Sequence, residues 1–375
     1  MSRPKLIYFI TEDWYFCSHR LPLALAAQDA GYDVAVVTHV NEYGEAIRRA
    51  GIRLISLNLS RRGMSLLPEL AVVARLTALY RKEKPDIVHH VAMKPVLYGS
   101  LAARLSGVPY VVNALAGMGY VFTSGQLMAR LLRPAIGRAF RVLLNSKRSC
   151  LILQNKDDRD VFIRKRFING DRIRLIRGSG VDTAVFPPIP EPAGIPIVIL
   201  ASRMLRDKGI IEFVEAARQL KARGVDARFV LVGDTDLHNP TAIQKEQLTA
   251  WQEEGVVEWW GRCDDMPMVL AQAHIVCLPS YREGLPKVLL EAASCGRPIV
   301  TTDTNGCREI VRNGENGLLV PVRSTVELAN AIQSLIENKE LRQKMGIRGR
   351  EIVVSEFAIE KVVAETLAVY RDLLE

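Results

Sequence analysis

Residues 275–291 read IVCLPSYREGLPKVLLE, and this stretch shows how the C-terminal half of the chain is built. Residues 275–279 form a short apolar run typical of a buried strand, and residues 288–294 have the composition of a helix. Between them lies a polar loop that contains Glu283 and Gly284. A strand, a short loop and a helix in this order form the repeating unit of parallel α/β sheets, so the stretch predicts that architecture.

The same alternation extends along the whole chain. We predict buried strands in two sets, at residues 6–10, 34–38, 52–57, 87–91 and 110–114, and at residues 197–201, 228–232, 256–260, 275–279 and 298–302. Between the sets, residues 187–192 read PPIPEP, and this density of proline excludes a helix or a central strand. The sequence therefore predicts two doubly wound α/β domains, residues 1–187 and 188–357, joined by a proline-rich linker.

Length and composition are those of a globular protein. The 375 residues, 49% hydrophobic and 24% charged, suffice for two domains and exclude a disordered or collagen-like chain. The six cysteines form no CxxC pair, which favours reduced thiols in the cytosol over disulfides or a zinc site. The apolar run at residues 6–10 is too short for a signal peptide, and polar residues interrupt the uncharged stretch 105–129, so we expect no transmembrane helix.

The net charge of +9 is unevenly distributed. Residues 1–187 carry 28 basic and 14 acidic side chains, whereas residues 188–375 carry 22 and 27. Nine basic residues and no acidic residue lie between Asp86 and Asp157. This asymmetry indicates that the N-terminal half faces an anionic partner, and charge alone leaves both nucleic acid and anionic lipid as candidates.

Two loops of the C-terminal half carry residues suited to a nucleotide. Arg203 and Lys208 share the loop after the predicted strand 197–201, and two cations on one loop suit a diphosphate. Glu283 precedes a helix whose free N–H groups can bind an anion, and Gly284 allows close approach of the backbone to a ligand. That helix begins with Leu285, Pro286 and Lys287 and carries Glu291, a carboxylate suited to ribose hydroxyls.

These segments resemble the C-terminal domain of the family 4 retaining glycosyltransferases with the GT-B fold. The resembling pieces, in the order of that family, are Ser202-Arg203 with Lys208-Gly209, Leu231-Val232-Gly233, Trp260-Gly261-Arg262, Leu278-Pro279-Ser280, the pair Glu283 and Glu291, and residues 291–300, 305–309 and 313–319. The resemblance implies two Rossmann-like, doubly wound domains facing across a cleft. In this fold the terminal helix, here residues 358–375, commonly packs back on the N-terminal domain.

The resemblance also implies roles for individual residues. Arg203 and Lys208 would neutralise the diphosphate of the sugar donor, Glu283 would hydrogen-bond the donor sugar, and Glu291 would bind the ribose. Backbone N–H groups of residues 284–287 would hold sugar and phosphate, and Arg262 would flank the base. No metal or other cofactor is expected, because cations and a helix N-terminus supply the charge. The DxD spacing at residues 234–236 fits a surface loop better than a metal site.

Three N-terminal loops, residues 11–22, 89–95 and 113–120, resemble those of the subgroup that extends polyprenyl-diphosphate-linked sugars. That subgroup includes bacterial N-acetylgalactosaminyltransferases that act on lipid-linked bacillosamine. The resemblance implies transfer of a hexose or N-acetylhexosamine with retention, in glycan, O-antigen or capsule assembly. The favoured donors are N-acetylgalactosamine and N-acetylglucosamine linked to UDP.

The chain departs from the family at one position. Many members carry a histidine in the loop after the fifth strand, where residues 114–117 here read ALAG. The leaving phosphate oxygen can take the acceptor proton, so no protein base is obligatory. The candidates to orient or bind the acceptor are Glu12, His19, His89, His90 and Lys94. For each histidine, a purely structural role is at least as compatible with the sequence.

Residues 126–149 combine basic and apolar side chains at helical spacing. This pattern suits an interfacial helix on anionic lipid. The lipid-linked acceptor that the resemblance implies favours this interpretation, with the enzyme cytoplasmic and peripheral on the inner face of the cell membrane. The same pattern also fits a core helix with a solvated basic face.

Other functions remain open at this point. The chain could transfer sugar to a soluble or other lipid acceptor, or sense a sugar nucleotide without catalysis. A nucleic-acid-binding protein is a further alternative, which we disfavour because the sequence shows no such motif and no aromatic stacking platform.

Overall fold

A computed structural model describes residues 3–58, 66–117, 127–236 and 239–375 of the chain. They form two compact units, one comprising residues 1–179 and 362–375 and the other residues 180–361. We call these unit 1 and unit 2. Within the described residues, no helix is both long enough and apolar enough to cross a bilayer.

Unit 1 alternates strands and helices. Its strands are β1 (Lys5–Glu12), β2 (Asp33–His39), β3 (Arg53–Ser56), β4 (Ile87–Val91), β5 (Tyr110–Leu115), β6 (Ser149–Leu153) and β7 (Ile173–Leu175). Its helices are α1 (Asp13–His19), α2 (Leu21–Asp29), α3 (Gly44–Arg49), α4 (Leu66–Glu83), α5 (Met93–Ser106), α6 (Leu127–Leu143) and α7 (Lys156–Arg164), with a 3-10 turn at Gly170–Arg172.

Unit 2 repeats this alternation. Its strands are β8 (Ile197–Ala201), β9 (Arg228–Val232), β10 (Glu258–Trp259), β11 (Ile275–Leu278), β12 (Ile299–Thr302) and β13 (Gly317–Val320). Its helices are α8 (Ile210–Ala222), α9 (Lys245–Glu253), α10 (Met266–Gln272), α11 (Lys287–Ser294), α12 (Asn305–Ile310), α13 (Thr325–Glu337) and α14 (Lys339–Glu356), with a 3-10 turn at Arg206–Lys208. The last helix, α15 (Ile359–Leu374), begins in unit 2 and continues in unit 1.

Each unit contains one parallel sheet with a reversal of strand order near its centre. The order is β3-β2-β1-β4-β5-β6-β7 in unit 1 and β10-β9-β8-β11-β12-β13 in unit 2. The central strands β4 and β8 are buried at every position, as parallel sheets covered by helices require, and β8 is wholly apolar whereas β4 includes His89 and His90. The order reverses between β1 and β4 and between β8 and β11, where the loops at the carboxyl ends separate and leave room for a ligand. This is the doubly wound, Rossmann-like architecture predicted for both domains.

The predicted strands all occur in the structure, and strands at 87–91, 197–201 and 228–232 have the predicted bounds. Three further strands, β6, β7 and β13, lie at or next to the sheet edges and were not predicted from the sequence. β7 and β13 are short, with 3 and 4 residues, and so lack the longer apolar run that marks a central strand.

The structure divides the units at residue 179, eight positions before the predicted boundary at 187. Val181 explains the difference, because its N–H donates to the Phe357 carbonyl and its own carbonyl accepts from the Ile359 N–H, both at 3.0 Å. The proline-rich run also packs within unit 2 rather than linking two domains. Arg342 there donates to Glu191 at 2.8 Å, and this ion pair is almost wholly buried.

Candidate active site

The site in unit 2 is built where the loops after β8 and β11 meet. The Tyr281 N–H donates to the carbonyl of Asp207 at 2.9 Å, and the Ser280 hydroxyl donates to the same carbonyl at 3.0 Å. These bonds tie the turn that carries Lys208 to the loop that carries Glu283. Lys208 and Glu283, which are distant in sequence, are therefore brought together on loops that follow neighbouring strands.

Three glycines allow the chain segments of this site to touch. A Cβ on Gly233 would lie 1.8 Å from the Ser202 carbonyl oxygen, and a Cβ on Gly209 would lie 2.1 Å from the Pro279 carbonyl oxygen. A Cβ on Gly306 would lie 2.4 Å from the carbonyl oxygen of Gly284. Because no other residue fits such approaches, these glycines fix the spacing of the loops.

Ion pairs join the charged residues of the site. Lys208 Nζ lies 2.5 Å from Glu283 Oε1, and both side chains are mostly buried. Arg203 Nη1 lies 2.9 Å from Asp236 Oδ2. Both cations predicted to meet the diphosphate are thus within reach of a carboxylate.

A pocket of about 460 Å³ opens beside the Arg203–Asp236 pair, and among the described residues its lining does not include Lys208 or Glu283. Its wall contains the ends of β8 and β9, together with side chains from the loops and α11. The charged residues of the wall are Arg203, Arg262, Glu291, Asp234 and Asp236. Three predicted donor-site residues, Arg203, Arg262 and Glu291, therefore line one cavity of a size suited to a small-molecule ligand.

Helix α11 carries Glu291 into the pocket wall. The helix begins at Lys287 with Pro286 as its N-cap, so Leu285 and Pro286 precede it rather than opening it. Lys287 Nζ lies 3.4 Å from Glu291 Oε1, one turn along the helix. Burial raises the pKa of Glu291, while the neighbouring Lys287 counteracts this shift.

A buried carboxylate that the sequence analysis missed supports the Glu283 loop. Glu212 on α8 accepts a hydrogen bond from the Tyr281 hydroxyl at 2.6 Å, and the Arg323 guanidinium lies 4.6 Å from the centre of the Tyr281 ring. Burial, together with this carboxylate, raises the pKa of Tyr281 to about 12, so its hydroxyl remains a donor. Glu212 lies in the first turn of the helix that follows Gly209, a position that sequence alone does not distinguish from a surface residue.

The structure separates the N-terminal candidates into half-buried and core residues. Glu12 ends β1 and accepts from the Asn41 side chain at 3.1 Å. His19 ends α1, and its ring stacks on Tyr15 with the centroids 4.1 Å apart. Asp13, which the sequence analysis did not single out, is buried and accepts from the Asn41 N–H at 2.6 Å. This carboxylate holds the loop after β2 against α1.

His89 and His90 lie within the core of unit 1. His90 is fully buried, with Nδ1 2.9 Å from Asn113 Oδ1 and Nε2 3.1 Å from the Tyr80 hydroxyl. Burial lowers its pKa to about 4. A neutral ring with both nitrogens engaged is a structural histidine, so the structure does not favour the predicted contact of His90 with an acceptor.

Lys94 lies in the first turn of α5, where β4 ends. Its Nζ is 2.6 Å from Glu69 Oε1 on α4, so this cation has a carboxylate neighbour. The residue before the helix, Ala92, has φ 85° and ψ 165°, a backbone region that non-glycine residues rarely occupy. Such strain is concentrated at functional sites, and it lies here at the reversal of strand order in unit 1.

Comparison with known proteins identifies the family. A family model described as "Glycosyl transferases group 1" matches residues 195–338, and one described as "Glycosyl transferase 4-like" matches residues 5–155. Together the two models match most of the chain. The chain belongs to these glycosyltransferases.

Two curated relatives cover most of the glycosyltransferase. It is 29% identical to the N,N'-diacetylbacillosaminyl-diphospho-undecaprenol alpha-1,3-N-acetylgalactosaminyltransferase of Campylobacter jejuni, over 86% of this chain and 87% of that protein. It is 27% identical to the UDP-Gal:alpha-D-GlcNAc-diphosphoundecaprenol alpha-1,3-galactosyltransferase of Escherichia coli, over 84% and 82%.

A solved structure supports the fold of the glycosyltransferase. Anabaena Alr3699/HepE, crystallised with UDP and glucose, matches with a TM-score of 0.76 and 21% identity, over 98% of this chain and all of that one. The predicted GT-B fold class is therefore confirmed, as is the prediction that the chain is a glycosyltransferase.

Residues 234–236, expected in a surface loop, form a loop after β9 in which Asp234 is exposed and Thr235 and Asp236 are half-buried. The sequence did not indicate that these three residues also line the pocket. This loop follows β9, which lies next to β8 in the sheet, and it therefore lies at the end of the sheet where the pocket opens. Among the described residues, no three His, Cys, Asp or Glu side chains are grouped so that they could hold a metal ion.

Proposed function

We propose that this glycosyltransferase transfers a hexose or N-acetylhexosamine from a UDP-sugar to a polyprenyl-diphosphate-linked sugar, with retention and without a metal ion. The observation that carries the proposal is the pocket lined by Arg203 and Glu291, together with the Lys208–Glu283 ion pair that joins the loops after β8 and β11. Cations suited to a diphosphate and carboxylates suited to sugar and ribose hydroxyls support this proposal.

The cations would act on the leaving group. As the bond between the anomeric carbon and the diphosphate breaks, negative charge develops on the leaving phosphate oxygen. Arg203 and Lys208 stabilise that charge electrostatically, which lowers the barrier because both are held in place beforehand. The short contact between Lys208 Nζ and Glu283 keeps this cation beside the sugar-binding carboxylate.

The acceptor hydroxyl would lose its proton to the leaving phosphate oxygen. The new bond then forms on the face of the sugar that the diphosphate leaves, and the anomeric configuration is retained. The burial of His89 and His90 is consistent with this scheme, because neither ring is placed as an exposed base. Glu12, His19 and Lys94 remain candidates to orient the acceptor.

The relatives support the acceptor class. The Campylobacter and Escherichia proteins are both named for substrates linked to undecaprenol through a diphosphate. UDP as the donor nucleotide is supported by the name of the Escherichia enzyme and by the UDP bound to HepE. We carry both properties to this chain as part of the proposal.

The test is a panel of nucleotide sugars assayed against polyprenyl-diphosphate-linked and soluble sugar acceptors, with the product linkage read by NMR. We expect transfer from a UDP-hexose or UDP-N-acetylhexosamine to the lipid-linked acceptor, unaffected by a chelator. Lys208→Ala and Glu283→Gln should abolish it. Transfer to the soluble acceptor alone would contradict the acceptor class, and full activity in both variants would contradict the site.

We further propose that the enzyme acts at the inner face of the cell membrane, through the basic surface of α6. In the described part of this helix, Phe140 packs on Phe162 and Phe167 in the core, so the apolar face is already covered by protein. Arg138 and Arg141 are exposed. Docking would therefore be electrostatic, without insertion of this part of the helix.

A further inference from the structure

Asp236 forms an ion pair with Arg203, and the proposed reaction gives this carboxylate no role. Arg203 and Lys208 are proposed to bind the diphosphate, and Glu283 the sugar. Asp236 instead faces Arg203, with Oδ2 2.9 Å from Nη1, and lies in the wall of the same pocket. Its side chain therefore competes for a cation that the donor needs.

The pair is placed so that it can separate. The side chains of Arg203 and Asp236 are 41% and 23% exposed, so water can solvate both charges when they part. Ion pairs with this degree of exposure are weak, because solvent screens the attraction. The Lys208–Glu283 pair is more enclosed, at 22% and 11%.

The charge of Asp236 opposes a bound diphosphate. Guanidinium binds phosphate best when two of its N–H groups face two oxygens, and Nη1 is one of the groups that would take part. A carboxylate within 3 Å of that nitrogen places negative charge close to the phosphate oxygens. The phosphate either displaces Asp236 or binds against its repulsion.

We propose that Asp236 is a displaceable counter-ion of Arg203 that sets the affinity of the pocket for the nucleotide diphosphate. The diphosphate takes over the guanidinium when it binds, and Asp236 takes it back when the nucleotide product leaves. Asp236 thus weakens nucleotide binding and speeds product release. This inference rests on the proposed function, because it assumes that Arg203 meets a diphosphate.

Calorimetric titration with UDP and with inorganic pyrophosphate tests the role of Asp236. In Asp236→Asn and Asp236→Ala, we expect the dissociation constant for each ligand to fall by about three- to tenfold, since one nearby like charge is removed. The gain should shrink at high salt, and UDP should dissociate more slowly in stopped-flow measurements. Pyrophosphate is included because the effect concerns phosphate charge and not the base.

The control is Glu254→Gln, which removes one negative charge from an Arg218 pair in the same unit, away from the pocket wall. It should change the dissociation constant by less than about twofold. If the wild type binds UDP and Asp236→Asn binds it no more tightly, the counter-ion role is wrong while the proposed function stands. Weaker binding in Asp236→Ala would show instead that Asp236 orients Arg203. If neither the wild type nor the variants bind UDP, GDP or ADP, both proposals fail.

Discussion

At the scale of single residues, Gly209 and Gly224 show what a glycine contributes to this site. Both have φ near +75°, a conformation that other residues adopt only with strain. A Cβ on Gly224 would meet nothing within 4 Å, whereas a Cβ on Gly209 would lie 2.1 Å from the Pro279 carbonyl oxygen. Alanine at position 224 would therefore introduce backbone strain alone, whereas alanine at position 209 would add a steric clash.

We expect Gly209→Ala to lower transferase activity by about a hundredfold, because moving the Lys208 turn off Pro279 misplaces a cation that we propose acts on the leaving phosphate. Gly224→Ala should cost roughly 1 kcal/mol of stability, from the positive φ alone, and leave activity near the wild-type level. Steady-state kinetics and thermal unfolding of both variants measure the difference. Equal activity in the two variants would show that the close contact does not position Lys208.

His90 makes the stability of unit 1 depend on pH. Burial lowers its pKa from 6.5 to about 4, so the unfolded chain binds a proton at a higher pH than the folded chain does. The contribution of neutral His90 to stability is therefore fully present above about pH 6.5 and is lost as the pH falls towards 4. A shift of this size corresponds to a loss on the order of 3 kcal/mol.

Native-state hydrogen exchange of peptides from β4 and β5 measures this dependence without requiring two-state unfolding. The opening free energy of the wild type should fall between pH 6.5 and 4, and that of His90→Gln should fall by less. Comparing the two proteins at each pH removes the intrinsic pH dependence of exchange. Identical slopes would mean that His90 does not remain neutral in the fold.

At the scale of elements, α15 is bound to unit 1 by a buried hydroxyl. The Tyr370 hydroxyl lies 2.6 Å from His89 Nδ1 and 3.0 Å from the Tyr8 hydroxyl, and all three side chains are buried. Val362 and Val369 add apolar contacts to the same core. The end of the chain is therefore part of the folding unit that its beginning forms.

Tyr370→Phe should lower the free energy of unfolding by about 1–3 kcal/mol, because it leaves the Tyr8 hydroxyl and His89 Nδ1 buried with one partner fewer. Tyr110→Phe, the same change at another residue packed on this core, should have an effect within about 0.5 kcal/mol. Chemical denaturation compares the two variants. Adding Tyr8→Phe to Tyr370→Phe should cost little more, and full additivity of the two changes would contradict a shared network.

At the scale of the whole molecule, the two units differ in charge. Residues 1–179 with 362–375 carry 29 basic and 16 acidic side chains, whereas residues 180–361 carry 21 and 25. The difference of charge that the sequence halves show thus persists in the folded units, at +13 and −4. The net positive charge of unit 1 favours binding to an anionic membrane, and the small negative charge of unit 2 does not lower the solubility of the protein.

Co-sedimentation with vesicles tests the membrane proposal. The enzyme should bind vesicles containing phosphatidylglycerol at low salt and ignore phosphatidylcholine vesicles. Arg138→Glu on α6, combined with Lys147→Glu at an exposed residue in the turn after this helix, should weaken binding by more than about tenfold, since each basic residue near the surface contributes about 1 kcal/mol. Arg223→Glu/Lys344→Glu in unit 2 is the matched control. No difference between the double variants would contradict docking through unit 1, and salt-resistant binding to an oligonucleotide would revive the nucleic-acid alternative.

The sequence by itself determined the parallel sheets and the segments that carry most of the proposed donor site. Apolar runs, loop residues and glycines are local signals. Arg203, Lys208 and Glu283 follow them in loops whose position a parallel sheet dictates, and Glu291 lies on the helix after the last of these loops. Tertiary structure decided the features that depend on long-range packing. It buried His90 between Tyr80 and Asn113 and placed Asp236 against Arg203, because such contacts join segments that no sequence period connects. Tertiary structure also assigned residues 180–187 to unit 2, although the prolines predict a boundary at residue 187. The reason is that the backbone of Val181 hydrogen-bonds to residues 357 and 359.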